Sequence, residues 1–112
     1  MPTFRVFYAR PEHFRDTLVN PENVTRKSAP DTHVSVGVID AKDHDEVFQM
    51  MQGENMTPQQ VDAAVAASGR TSMSVGDVLY RQDGTMFVCQ SIGWITHDPT
   101  EPIYPPLSDE SA

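Results

Sequence analysis

The stretch "RTSMSVGDVLYRQDGTMFVCQSIGW", Arg70 to Trp94, decides the fold. It reads as a strand, "SMSVGDVLYR", a turn at Gln82-Asp83-Gly84, and a second strand, "TMFVCQSIGWIT". Asp-Gly between two apolar runs is a strong short-range hairpin signal, because the tight turn needs a residue that accepts positive φ. In the first strand Val75, Val78 and Tyr80 break strict alternation. Gly76-Asp77 therefore marks either a bulge or a turn entering the strand. In the second, Phe87, Cys89 and Ser91 face away from Met86, Val88 and Gln90. Gly93 is a second break, and Trp94 either packs or lies at an edge.

Two helices precede the hairpin. "TPQQVDAAVAASG" has Thr57 at the N-cap, Pro58 in the first turn, Gln60 placed to reach back, and Gly69 as its stop. Val61, Ala64, Val65 and Ser68 are assigned to one narrow face. "DHDEVFQMMQG" opens with Asp43 as cap and Glu46 three residues on, carries Val47, Met50 and Met51 as a stripe, and closes at Gly53. Further upstream, "HVSVGVIDA" alternates as a strand, with Val34, Val36 and Val38 on one side. Its Gly37 marks a bend or a close backbone approach. "TFRVFYA" is another strand, covered on both faces because Phe7 interrupts the polar side. Between these two strands Pro11 starts a short helix bearing Phe14 and Leu18, and residues 20–31 read as an irregular loop.

The chain of 112 residues is one domain's worth, large enough to bury a core without disulfides or metals. Its single cysteine, Cys89, forms no intrachain disulfide and sits in an apolar run. Met1 to Ala9 lacks a basic start followed by an apolar stretch, and no segment is long enough to span a membrane. The expectation is a soluble protein of the cytoplasm with no membrane partner. Net charge is -8, from 16 acids and 8 bases, and it is uneven. Residues 1–30 hold five bases and three acids, whereas residues 98–112 hold four acids and no base. That balance disfavours direct nucleic-acid binding, which needs Lys and Arg to displace phosphate counterions. It fits either simple solubility or an acidic face for a basic partner. Residues 98–112, rich in proline and acid, read as a partly disordered tail in which Ile103, Tyr104 and Leu107 are candidates for docking onto residues 1–97.

The hairpin resembles the C-terminal signature of the YodL-like domain family, in which an "SLSVSDV"-type entry strand precedes a turn and a strand ending in Gly-aromatic. Ser72–Asp77 and Gly93-Trp94 carry the sharp part of the likeness. "FRVFYA" and "VSVGVIDAKDHDEVFQMMQ" resemble the family's upstream strand and strand–helix, in order. Gly76 stands where the family has serine, and Trp94 where it has phenylalanine. The resemblance implies a setting in phage or plasmid proteins of a bacterial host, and no catalytic residues to carry over.

Chemistry is weakly signalled. "DAKDHDE", Asp40 to Glu46, is the best metal candidate, with Asp40 and His44 at i, i+4. Helix capping and the helix dipole account for the same acids. His13, His33, His44 and His97 fall in different elements, Ser74 is not in a G-x-S-x-G elbow, Cys89 lies mid-strand, and no P-loop follows a strand. Ser72, Ser74, Gly76, Asp77, Asp83, Gly84, Gly93 and Trp94 are read as structural; the alternative for the serine motif is a cradle for a peptide or anion.

The sequence thus predicts an α+β fold: a single mixed sheet of about four strands, a helix pair on one face, and a C-terminal hairpin. The expected core is Phe4, Val6, Val36, Val38, Val47, Met51, Val61, Val65, Val78, Phe87 and Val88. The expected function is that of a non-enzymatic protein-binding module without catalytic residues, metal or cofactor. Asp40, Asp43, Asp45, Glu46 and Glu54 are its interaction residues, and a basic or nucleic-acid-binding protein is its partner. The alternatives are a mimic of nucleic-acid charge and an enzyme with an unrecognised site.

Overall fold

In the computed structural model, which describes residues 1–99, the Asp-Gly turn joins β3 (Val78–Arg81) to β4 (Met86–Cys89). The strands pair antiparallel, Leu79 opposite Phe87 and Tyr80 opposite Met86. Gly84 takes φ +94°, and its N–H donates to the Arg81 carbonyl over 2.8 Å. The second break forms a second hairpin. Around Gly93 (φ +78°) the chain turns into β5 (Trp94–His97), which pairs with β4. What reads as one long strand is therefore two, and the sheet has five strands.

The remaining strands are β1 (Thr3–Ala9) and β2 (His33–Asp40), and the spatial order is β2-β1-β3-β4-β5. Every pair is antiparallel, so the sheet is not mixed. The first part of the serine motif is not strand either. Residues 72–77 form a turn-containing loop, because Gly76 adopts φ +91° and the Asp77 N–H donates to the Ser74 carbonyl.

The sheet is packed on both sides. On one face Phe4, Val6, Tyr8, Leu79, Phe87 and Cys89 meet Val47 and Met51 of the first helix region and Ala64 of the second. The helices are α3 (His44–Met50) and α4 (Pro58–Ser68), numbered after the short α1 (Phe14–Val19) and the single turn α2 (Ala29–Thr32). α4 carries the full capping box, with Thr57 and Gln60 exchanging backbone bonds of 3.2 and 2.8 Å, a feature worth about 1 kcal/mol. Asp43 caps α3 by accepting from the Glu46 N–H, but Glu46 reaches back to the Lys42 amide rather than to Asp43. α3 ends at Met50 with Met51 as its C-cap, two residues before Gly53, which instead opens a 3-10 turn.

On the other face Val78, Met86 and Val88 pack with Phe7, Tyr80 and Ile95 beneath Val24 and Ala29. Segment 20–31 is thus more ordered than predicted. Pro21 and Pro30 occupy first-turn positions of a 3-10 turn and of α2, where a missing N–H costs little. Coverage on both faces explains why all four residues of β4 are buried.

Most of the expected core is buried, and Val61 is half-buried against it. Val38 and Val65 are corrections, at 63% and 46% exposed. Val6 pairs with Gly37 but Phe7 with Ser35, so Val36 is an extra residue in β2. The bulge shifts the alternation: Val36 and Ile39 point inward and Val38 outward. In α4, Ala64 and Ser68 form the buried stripe, and Val65 falls outside it.

Candidate functional site

The loop from Arg70 to Asp77 gathers most of the buried polar groups. The Asp77 side chain is fully buried. It accepts from Arg70 Nη2 (2.8 Å) and Nη1 (3.1 Å), from the Ser74 N–H (2.8 Å) and from the Ala9 N–H (2.9 Å). Burial raises its pKa, and the Arg70 fork and the two amides oppose that rise. The Arg70 guanidinium lies 4.2 Å from the Phe14 ring centre and 4.9 Å from that of Tyr8. Such a sandwich adds cation–π attraction to the ion pair.

His33 and Tyr8 complete this cluster. His33 Nε2 lies 2.7 Å from the Gly76 carbonyl, which only accepts, so Nε2 carries the proton and Nδ1 receives the Thr32 hydroxyl at 2.7 Å. Burial lowers the His33 pKa and keeps the ring neutral. The Tyr8 hydroxyl donates to the Thr71 carbonyl, and burial, reinforced by the Asp77 charge, raises its pKa. Gly76 fits where nothing larger does: a Cβ there would stand 2.5 Å from the Thr17 carbonyl oxygen. The serine motif is tied down as well. Ser72 Oγ accepts from the Gly53 N–H, and the Met73 N–H donates to Met51. These groups bind β1, β2, α1 and α3 together; their polar atoms bond within the chain except the buried Arg70 Nε, which has no hydrogen-bond partner among the described residues. Cys89 lies on the same side of the fold, with its thiol pKa pushed up to about 11 by burial and by Asp77, which leaves it a poor nucleophile.

The predicted interaction acids sit elsewhere and are divided. Asp43, Asp45 and Glu46 share the first turn of α3. Asp45 is exposed and accepts from Trp94 Nε1 at 2.9 Å. Trp94 in turn meets His44 and Phe48 edge-on. Asp40, at the end of β2, accepts from the Thr3 hydroxyl. Glu54 is exposed in the 3-10 turn beyond the opposite end of α3. The structure thus joins three of the five acids and separates the other two. Asp83 and Gly84 stand at the β3–β4 tip and Gly93 at the next turn. Among the described residues no group of three or more His, Cys, Asp or Glu side chains is placed to hold a metal ion. No helix among them is long and apolar enough to cross a membrane.

Compared with known proteins, the chain matches no family model, no curated protein and no solved structure.

One surface feature escaped the sequence reading. An open groove of about 720 Å³ crosses the second sheet face, where segment 20–31 leaves it uncovered. Thr3, Arg5, Phe7, Val38 and Tyr80 line it. Phe7 and Tyr80 pack edge-to-face at 5.5 Å. Arg81 and Gly84 also line it, and Arg26 donates to the Gly84 carbonyl at 2.8 Å with its guanidinium 6.0 Å from the Tyr80 ring. The available signal was Phe7 on the arginine-bearing side of β1.

Proposed function

We propose that the chain is a non-catalytic protein-binding module of a phage or plasmid, acting in the bacterial cytoplasm on a basic partner protein. The observation that carries this reading is the division of the polar groups. Those with catalytic potential, Asp77, Arg70, His33, Tyr8 and Cys89, are buried or largely so, and the first four are bonded to one another or to nearby backbone. The acids at the start of α3 lie at or near the surface of a chain with net charge -8, where they steer a basic surface toward Trp94 and α3. The phage or plasmid setting rests on the resemblance of Ser72–Asp77 and Gly93-Trp94 to the YodL-like family.

Asp45 and Glu46 also bond Trp94 and Lys42, so charge reversal would disturb local structure as well as charge. The test is therefore Asp45→Asn, Glu46→Gln and Glu54→Gln together, which keep the acceptor oxygens and remove three charges. A partner captured from host lysate at low salt should weaken at high salt and be lost with the triple variant. Capture undiminished in the variant rejects the acidic face. A shift of plain duplex DNA by the unaltered chain near physiological salt rejects the reading as a whole.

A further inference from the structure

The strand register lays out the groove on the second sheet face row by row. Arg5 of β1 stands between Val38 of β2 and Tyr80 of β3, each directly opposite it across a strand pair. Such neighbours have Cβ atoms about 4.5–5.5 Å apart. Two residues along β1, on the same face, Phe7 packs edge-to-face on the Tyr80 ring. Val38 is 63% exposed. The floor is therefore apolar and aromatic around an arginine.

Two polar groups on this floor have their bonding capacity unspent. The lining cations are Arg5 and Arg81. Arg81 is turned away: it donates to Asp83 and Thr85, and its guanidinium lies 5.3 Å from the ring of Phe87, a residue of the opposite face. Arg5 is exposed, and its guanidinium makes no hydrogen bond or ion pair among the described residues. The Tyr80 hydroxyl makes no hydrogen bond among them either. Burial raises the Tyr80 pKa, so the hydroxyl keeps its proton at neutral pH and is a donor. A guanidinium fork beside a hydroxyl donor, over an apolar floor, matches a carboxylate attached to an apolar body.

Size and charge narrow the ligand further. The groove holds about 720 Å³, within the range of about 300–1,000 Å³ common for small-molecule sites. Asp40, bonded to the Thr3 hydroxyl, lies one row along from Arg5 and repels a second anionic end. The net charge of -8 opposes a polyanion over its whole length, whereas a single carboxylate is screened from most of it beyond about 8 Å at physiological salt.

We propose that this groove binds a small apolar monocarboxylate, its aryl or branched-alkyl body on Val38, Phe7 and Tyr80 and its carboxylate between the Arg5 guanidinium and the Tyr80 hydroxyl. The ligand occupies the sheet face opposite the helix that carries Val47, so the site does not depend on the acidic surface at α3.

The test titrates the full chain with phenylacetate, hydrocinnamate and isovalerate, followed by NMR of backbone amides and side-chain methyls. Each acid is taken to about 10 mM, a level that fills even a millimolar site. Saturable shifts should appear at Arg5, Phe7, Val38 and Tyr80 while α3 and α4 stay in place. Arg5→Gln, a change at an exposed side chain, should weaken binding about tenfold or more, as expected for loss of a charge-assisted bond. Tyr80→Phe should weaken it severalfold and keep the ring on the floor. Phenylacetamide, the neutral isostere, should bind the unaltered chain as poorly as phenylacetate binds the Arg5→Gln variant. No saturable shift with any of the three acids would overturn the proposal. So would equal binding of phenylacetamide and phenylacetate, or an affinity unchanged in Arg5→Gln, since either reduces the groove to an apolar surface with no anion site.

Discussion

Two Arg–Asp pairs of nearly equal length sit within the stretch that decides the fold. Arg70 and Asp77 meet at 2.8 Å, Arg81 and Asp83 at 2.9 Å. Each aspartate neighbours a glycine of positive φ, Gly76 at +91° and Gly84 at +94°. The resemblance ends there. The Asp77 side chain is fully buried, whereas that of Asp83 is 51% exposed. Asp77 reaches Ala9, 68 residues away, and Asp83 bonds only Arg81 and Thr85, each two residues away. Pair distance is therefore a poor guide to contribution. One carboxylate closes the fold over long range, and the other trims a turn that water already solvates.

The largest effect should come from Asp77→Asn. It removes the charge opposite Arg70 and turns an amide NH2 toward donors that need an acceptor. Breaking a buried pair from one side costs about 3–5 kcal/mol. Chemical denaturation should show a midpoint lowered accordingly, and a near-neutral result would mean that the Arg70–Asp77 pair is not the joint described. Gly76→Ala comes next. Left-handed strain costs about 1–2 kcal/mol, and the forced retreat of the Thr17 backbone adds a further penalty of about 1–3 kcal/mol.

How much of this was legible follows from the range of each interaction. The Asp83-Gly84 turn and the Thr57–Gln60 capping box were readable because every partner lies within a few residues. So was the α+β class, which follows from the order of the periodic segments. The role of Asp77 was not, since Ala9 lies 68 residues away and only folding brings its N–H to the carboxylate, and Arg70, though seven residues before, meets it across an irregular loop that no periodicity marks. His33 was passed over for the same reason, its partner Gly76 being 43 residues on. The β2 alternation misled because the bulge at Val36 is set by pairing with β1, although Gly37 did flag an irregularity there. The acids were visible as composition. Their division between the two ends of α3 and the end of β2 depends on where the helix begins and stops.

pH sharpens the comparison from the His33 side of the buried joint. Burial lowers the His33 pKa, with Arg70 and His13 adding to the shift and the Gly76 bond and Asp77 opposing it. The unfolded chain therefore binds the proton more readily than the folded one. Stability falls as pH drops through the ordinary histidine range toward the lowered folded value. The slope from this one group is at most about 1.4 kcal/mol per pH unit. Tm followed from pH 7.5 to about 5.5 should decline less steeply in His33→Gln than in the unaltered chain. Equal slopes would assign the acid sensitivity elsewhere.

At the hairpin tip Gly84→Ala should cost about 1 kcal/mol, the strain of a left-handed alanine. Among the described residues the added Cβ meets the Pro99 side chain at 3.1 Å, a milder approach than the 2.5 Å to the Thr17 backbone oxygen at Gly76. Equal costs at Gly76 and Gly84 would show that backbone strain, not the close approach, governs both sites.

Asp83→Asn should have the smallest effect of all. The amide oxygen still accepts from the Thr85 N–H, so the turn keeps its staple and only the attraction to Arg81 is lost. The Arg81 bonds hold the Asp83 pKa well below the usual carboxylate range. A depressed carboxylate stabilises the fold above its unfolded pKa, and that contribution disappears as pH falls toward the folded value. Any difference between Asp83→Asn and the unaltered chain should therefore shrink in strong acid. It should shrink at neutral pH too when salt is raised to about 1 M, where the screening length is about 3 Å. The same salt should leave the Asp77→Asn deficit standing, because water and ions do not reach between Arg70 and a carboxylate with no exposed surface. If salt erased both differences alike, the two pairs would be equivalent and the contrast between joint and turn would fail.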